Sequence, residues 1–222
     1  MDERRDPILS LPGGEEPPAR ILLIRHGAAG GSEEGRLIGR LDTDLLPRGE
    51  DQVRASAARA AAWIEGPGEV LLFTSPRLRA RRSAEVWREA LPPGSAASAP
   101  ETVEGLAEID LGEWEGETYE SLRARAPERL RAHYADFVRS RPPGGESVED
   151  LALRVRPAFA QVRARAAGRT AAVVAHAAVN RVILCDALGA PFSSFFRIEQ
   201  RFAALNVLDY RGERPSVLLL NG

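Results

Sequence analysis

The chain is 222 residues long, and its 30 Lys+Arg set against 32 Asp+Glu leave a formal net charge of -2. This balance speaks against a nucleic-acid surface, which carries an excess of basic residues, and the length suits one α/β domain with a substantial buried core. The single cysteine, Cys185, excludes an intramolecular disulfide, so the fold does not depend on an oxidising compartment and a cytoplasmic location is expected.

Residues 1–18 are rich in proline, glycine and charge and contain no apolar run long enough for a signal peptide or a membrane span; they are expected to form a flexible tail. Residues 21–24, ILLI, then fit a strand buried on both faces, as in a parallel sheet covered by helices on each side. This strand delivers Arg25, His26 and Gly27 to a turn. An imidazole nitrogen there can act as a nucleophile, and the arginine offers a planar fork of donors suited to phosphate or carboxylate oxygens. The glycine lets a bound oxyanion approach the backbone. By itself the tripeptide fits equally well a strand that ends in an ordinary surface turn.

Residues 28–46 read as an irregular loop with glycines at 30, 31, 35 and 39, longer than a plain connector requires. Pro47 suits a first helical turn, and 50–64 continue it with an apolar stripe through Val53, Ala57, Ala60 and Ile64. Residues 70–73 form the next buried strand, and a Thr-Ser-Pro corner leads into a helix starting near Arg77. Arg77, Arg79, Arg81 and Arg82 crowd that start, where like charge and the helix dipole oppose them, an arrangement tolerable beside an anion.

At 106–116 the stretch LAEIDLGEWEG concentrates carboxylates around Trp114. Asp110, Glu113 and Glu115 read as solvated charges, and Trp114 as a packing residue. Residues 119–139 and 146–167 read as helices, the second with Val148, Leu151, Val155, Phe159 and Val162 on one face. His133 lies in the arginine-rich first helix and reads as solvated. Residues 170–175, TAAVVA, repeat the buried-strand pattern and also end in a histidine, His176, followed by a helix. Residues 204–210 and 217–220 are expected to be strands, with an antiparallel hairpin around 211–215. Two strands ending in histidine fit neither a zinc site, which needs three or four clustered ligands, nor a serine triad, because no G-x-S-x-G elbow is present.

Six blocks in order carry a family resemblance: LLIRHG (22–27), RLIGRLDTDLLPRGEDQ (36–52), FTSPRLRARRSAEV (73–86), LAEIDLGEWEG (106–116), GGESVEDLALRV (144–155) and VVAHAAVNRVIL (173–184). Over about residues 20–210 the chain resembles the histidine phosphatase superfamily, also called phosphoglycerate mutase-like, and the H-x-x-V-N-R block is similar to its phosphatase-type branches. The resemblance implies a three-layer α/β sandwich: a mostly parallel sheet, helices on both faces, and a mainly helical lid at 103–156 within a single domain at 19–222. It implies a metal-independent, cofactor-free phosphomonoester hydrolase working through a phosphohistidine on His26. Glu108 would be the general acid, with Arg25, Arg79 and a cationic His176 holding the phosphate.

The same resemblance assigns Gly27, Ser32, Arg36, Ile38, Gly39, Ala177 and Asn180 to substrate binding, with backbone N–H groups near Gly27 and Ala177 assisting. Ala28, Ala29 and Ser32 depart from the polar residues usual after R-H-G, and Ala177 replaces a usual glycine. A mutase that retains its phosphohistidine and a non-catalytic phosphate-ester binding module are the alternatives. The expected partner is a small phosphorylated metabolite, with no nucleic acid and no membrane. An edge strand or residues 192–196 offer a surface for a homodimer.

Overall fold

The computed structural model describes residues 17–64 and 68–222. The tail expected at 1–18 therefore lies, up to residue 16, outside the described residues. Strand β1 (Ala19–Arg25) is buried on both faces over six of its positions, which is why its sequence is a nearly unbroken apolar run. It pairs in parallel with β4 (Thr170–Ala175), and β4 pairs in parallel with β2 (Leu71–Thr74). A two-residue strand, β3 (Glu101–Thr102), continues the parallel set. On the other side β5 (Leu205–Arg211) runs antiparallel to β1 and forms a hairpin with β6 (Arg214–Leu219). The spatial order is β3-β2-β4-β1-β5-β6, a mixed sheet of six strands.

Alternate residues of β1 feed two separate cores. Ile21 and Leu23 pack with α5 (Val148–Arg165) and α6 (Ala177–Leu188), whereas Leu22 and Ile24 pack with α1 (Pro47–Ala60) and α2 (Leu78–Glu89). The result is the expected sandwich with helices on both faces. Each fully buried Leu or Ile of β1 contributes about 1.5–3 kcal/mol by leaving water. Cys185 packs in the first of these cores as a free thiol. Across the β1–β5 register, Arg20 faces Asp209 and binds its carboxylate with both Nε and a terminal nitrogen, at 2.8 and 3.0 Å. That buried bidentate pair fixes the antiparallel neighbour in place.

Between β3 and α5 the chain makes two 3₁₀ turns, Glu104–Leu106 and Gly112–Trp114, and two short helices, α3 (Tyr119–Arg125) and α4 (Pro127–Ala135). The single helix expected at 119–139 is broken because Pro127 excludes helical backbone at the residue before it, and Ala126 accordingly sits at φ -142, ψ 57. Helix α5 starts two residues later than expected, at a capping box in which Ser147 and Asp150 satisfy each other's backbone N–H groups. Among the described residues no helix is long and apolar enough to cross a membrane.

Candidate active site

Register alone brings the two histidines together. Arg25 is paired with Ala175, so the next residue of each strand, His26 and His176, emerges at the same level of the sheet. The His26 N–H donates to the Ala175 carbonyl at 3.0 Å, and the two imidazoles stand edge to face with centroids 5.1 Å apart. The helix after β1 covers one face and the helix after β4 the other, so the crevice opens where ligands bind in α/β sheets.

His26 is buried, and its Nδ1 lies 2.7 Å from the Gly27 carbonyl. A carbonyl only accepts, so Nδ1 carries the proton and the lone pair is on Nε2. The Arg79 Nε–H donates to that nitrogen at 3.3 Å. Burial first, then the charges of Arg79 and Arg25, hold the His26 pKa well below 6.5, so the imidazole is neutral at physiological pH. His176 is fully buried, with Nε2 2.6 Å from Ser75 Oγ and no partner for Nδ1 among the described residues. Burial and the same cations hold its pKa well below 6.5 too, so the cationic His176 expected from the sequence is neutral amid these neighbours.

Arg25 lies with its guanidinium 3.9 Å above the Phe202 ring and donates to the Gln200 carbonyl at 2.6 Å, while its Nε has no partner among the described residues. Burial lowers its pKa to about 10. Arg79 is only 1% exposed and is held by the carbonyls of Leu41 and Gly39, each at 2.7 Å. Glu108 is buried on the same cavity wall. Its carboxylate accepts from its own neighbour's N–H, Ile109, at 2.9 Å, and from the N–H of Ala178 in the first turn of α6 at 3.4 Å. Burial pushes its pKa up, against the opposing pull of these N–H groups, Arg79 and Arg25.

A cavity of about 320 Å³ joins these groups, with Arg25, His26, Arg79, Glu108 and Ala177 on its wall. Of the residues expected to bind substrate, Ser32, Arg36 and Ile38 also line it, and the buried Ser32 hydroxyl has no partner among the described residues. Three others are displaced from that role. The Gly27 N–H donates to Ser83 Oγ and that of Ala28 to Gln52, so neither faces a ligand. Gly27 is required because a Cβ would run into the Gly49 carbonyl at the start of α1. Gly39 sits behind the wall, where a Cβ would strike Glu115 and the Ile109 carbonyl. Asn180 points inward to Gln200, at 3.1 Å, in a buried amide network with Asn206.

Glu115 and His133, read as solvated, are packed into the structure, and Asp42 and Arg154 also help to organise the site. Glu115 accepts from the N–H groups of Gly39, Arg40, Leu41 and Leu111 at 3.0, 2.7, 3.3 and 3.1 Å, so it clamps the loop whose carbonyls hold Arg79. Asp42 accepts from the Leu78 N–H at 2.6 Å, which supplies an acidic group at the arginine-crowded start of α2. Arg154 of α5 donates to the carbonyls of Gly105, Ala107 and Glu108 at 3.1, 2.7 and 3.0 Å and also pairs with Glu146. It thus staples down the turn that presents Glu108. His133 is half-buried on the cavity wall, edge-on to Trp114 at 4.9 Å. Its position on a helix with many arginines gave no sign of this, because the aromatic partner lies in a separate turn.

The chain belongs to the histidine phosphatase superfamily (branch 1), whose family model matches residues 21–222. It is 32% identical over 210 residues to a bifunctional protein of Mycobacterium tuberculosis, covering 94% of this chain and 55% of that one, so it spans about half the length of that relative. It is 26% identical over 207 residues to phosphoserine phosphatase 1 of Hydrogenobacter thermophilus, with 91% of this chain and 92% of that one covered. The fold is similar to the solved mycobacterial glucosyl-3-phosphoglycerate phosphatase at a TM-score of 0.76 and 25% identity, over 91% and 99% of the two chains.

Proposed function

We propose that this chain hydrolyses phosphomonoesters of small metabolites through a phosphohistidine on His26. The observation that carries the reading is a neutral, Nδ1-protonated imidazole whose Nε2 meets the buried Arg79 guanidinium, with Arg25 and a raised-pKa Glu108 carboxyl lining the same cavity. The phosphatase names of relatives covering most of the chain support it.

In the first step Nε2 forms a bond to phosphorus as the ester P–O bond breaks, and the Glu108 carboxyl gives its proton to the departing alkoxide. The imidazolium so formed keeps its Nδ1–H on the Gly27 carbonyl. In the second step the Glu108 carboxylate takes a proton from water, the oxygen attacks phosphorus, and the P–N bond breaks to release phosphate. Arg25 and Arg79 offset the charge on the phosphoryl oxygens, with His176 beside them. Covalent catalysis of this kind calls on no metal. Residues 103–156, several of which line the cavity, act as the lid over it.

The test is turnover of p-nitrophenyl phosphate in the presence of a chelator by the wild type and by His26→Ala. Loss of turnover in the variant is expected, and an undiminished rate overturns the proposal.

A further inference from the structure

Besides the phosphate-facing groups, the cavity is lined by a cluster of aromatic side chains. Tyr134 and Phe137 enter from α4 and the segment after it, and Phe195 and Phe196 from the 3₁₀ turn Phe192–Arg197. Phe196 is the hub of this cluster. Its ring centroid lies 4.7 Å from that of Phe137, 5.2 Å from Phe195 and 6.3 Å from Tyr134. Yet Phe196 is 53% exposed and Tyr134 43%, so two large rings meet water at a cavity mouth. An exposed apolar patch of this kind marks a binding surface more often than a packing residue.

Glu146 and His133, which line the same cavity, are already engaged. Both Glu146 oxygens are held by Arg154 at 2.8 Å, with Arg40 and the Asp110 N–H adding further bonds. His133 has Nδ1 on Ser140 Oγ at 3.2 Å, and burial lowers its pKa toward the neutral form. Arg181 donates Nε to the Ile198 carbonyl at 2.8 Å and lies over the Phe195 and Phe196 rings at 5.5 and 5.7 Å. Its guanidinium thus lies against the aromatic cluster, and a carboxylate drawn to it competes with that cation–ring contact.

We infer that the leaving group this site accepts is a bulky apolar or aromatic alcohol, with its ring seated against the exposed side of the Phe137–Phe196 pair, rather than a compact phosphorylated hydroxy acid. The inference rests on the proposed phosphomonoester chemistry for the position of the phosphate, but it is read out by binding alone.

Three phosphonates, in which a P–C bond prevents hydrolysis, decide it by calorimetry on the full chain: 3-phenylpropylphosphonate, propylphosphonate and 4-phosphonobutanoate. The phenyl compound should bind at least about tenfold more tightly than the propyl one, the lower end of what burying such a ring returns. Phe196→Ala should cut that ratio by about threefold or more; its exposure makes the substitution safe for the fold. Equal binding of the phenyl and propyl compounds, or tighter binding of the carboxylate, overturns the inference. A ratio unaffected by Phe196→Ala does the same. Failure of every phosphate ester to turn over would instead strike at the proposed reaction, leaving these binding ratios to be judged separately.

Discussion

The ends of β1 and β4 and the segment 103–156 line one cavity and hold their side chains by different means. At the strand ends, position follows from backbone pairing: Arg25 opposite Ala175 places both imidazoles, and no side chain is needed to bring them together. In that segment no sheet runs, and Glu108 is placed by hydrogen bonds from Arg154, while the loop behind Arg79 is placed by Glu115. Sheet registers are stiff and shift only as a whole, whereas such a network gives way when one member is removed. Substitutions on the two sides should therefore fail differently.

The largest effect is expected at the strand end. His26→Ala removes the attacking nitrogen, and p-nitrophenyl phosphate turnover should fall by about 10³-fold or more, with thermal stability maintained or improved because a buried polar ring is gone. Steady-state kinetics and a melting curve check both parts. Next comes Glu108→Gln, which should lower kcat for alkyl phosphates by about 10²-fold and matter less for p-nitrophenyl phosphate, whose leaving group departs without a proton.

The same residue links activity and stability to pH. Phosphorylation needs neutral His26 and protonated Glu108, so kcat/KM should rise through the depressed His26 pKa and fall through the raised Glu108 pKa. Wild-type activity on alkyl phosphates should therefore have a basic limb that Glu108→Gln abolishes. For stability, a carboxyl whose folded pKa is raised favours folding below its unfolded value and loses that contribution as pH rises through the folded value. Glu108→Gln should accordingly melt higher than the wild type at about pH 8 and show no such gain at about pH 4. A gain that grows toward acid would contradict the direction of the shift.

What the sequence disclosed follows the same division. The apolar runs at 21–24 and 170–175, each closed by a histidine, are local patterns, and parallel pairing of such strands needs no further information to join His26 with His176. Arg25 was legible for the same reason, as a cation at a strand end, whereas Arg79 was singled out from the four arginines at its helix start only by the family resemblance. Asn180 and Gly39 were misplaced because a polar or small residue inside a motif looks alike whether it faces the cavity or the core. Asn180 turns to Gln200, and Gly39 lends its carbonyl to Arg79. Glu115 and Arg154 were invisible as organisers, since their partners lie in segments brought near only by folding. The aromatic cluster lining the cavity was equally hidden, being assembled from α4 and a 3₁₀ turn far along the chain.

Arg154→Met tests the network side directly. It keeps the aliphatic packing but removes the donors to three carbonyls and to Glu146, so the turn bearing Glu108 loses its anchor. A loss of about tenfold in kcat with a small change in KM is expected, together with about 1–3 kcal/mol of stability from the carbonyls and carboxylate left unsatisfied. Because Glu108 would be less firmly held, the basic limb of the pH profile should move as well. A merely structural role would lower stability without moving that limb.

The smallest effect should be at Glu115. Four N–H groups converge on its carboxylate, three of them in the 39–41 stretch whose Gly39 and Leu41 carbonyls hold the Arg79 guanidinium. Glu115→Gln keeps one accepting oxygen and loses the charge that favours several donors at once. The loop should loosen rather than detach, because the Leu37–Glu117 and Leu37–Gly116 backbone bonds on its other side remain. Arg79 would then be less fixed but still present, so KM for p-nitrophenyl phosphate should rise about threefold with little change in kcat, one to two carbonyl contacts' worth of positioning. A kcat loss as large as that of Arg154→Met would mean that the two anchors act on one element, and the division between strand-held and network-held residues would have to be redrawn around Arg79.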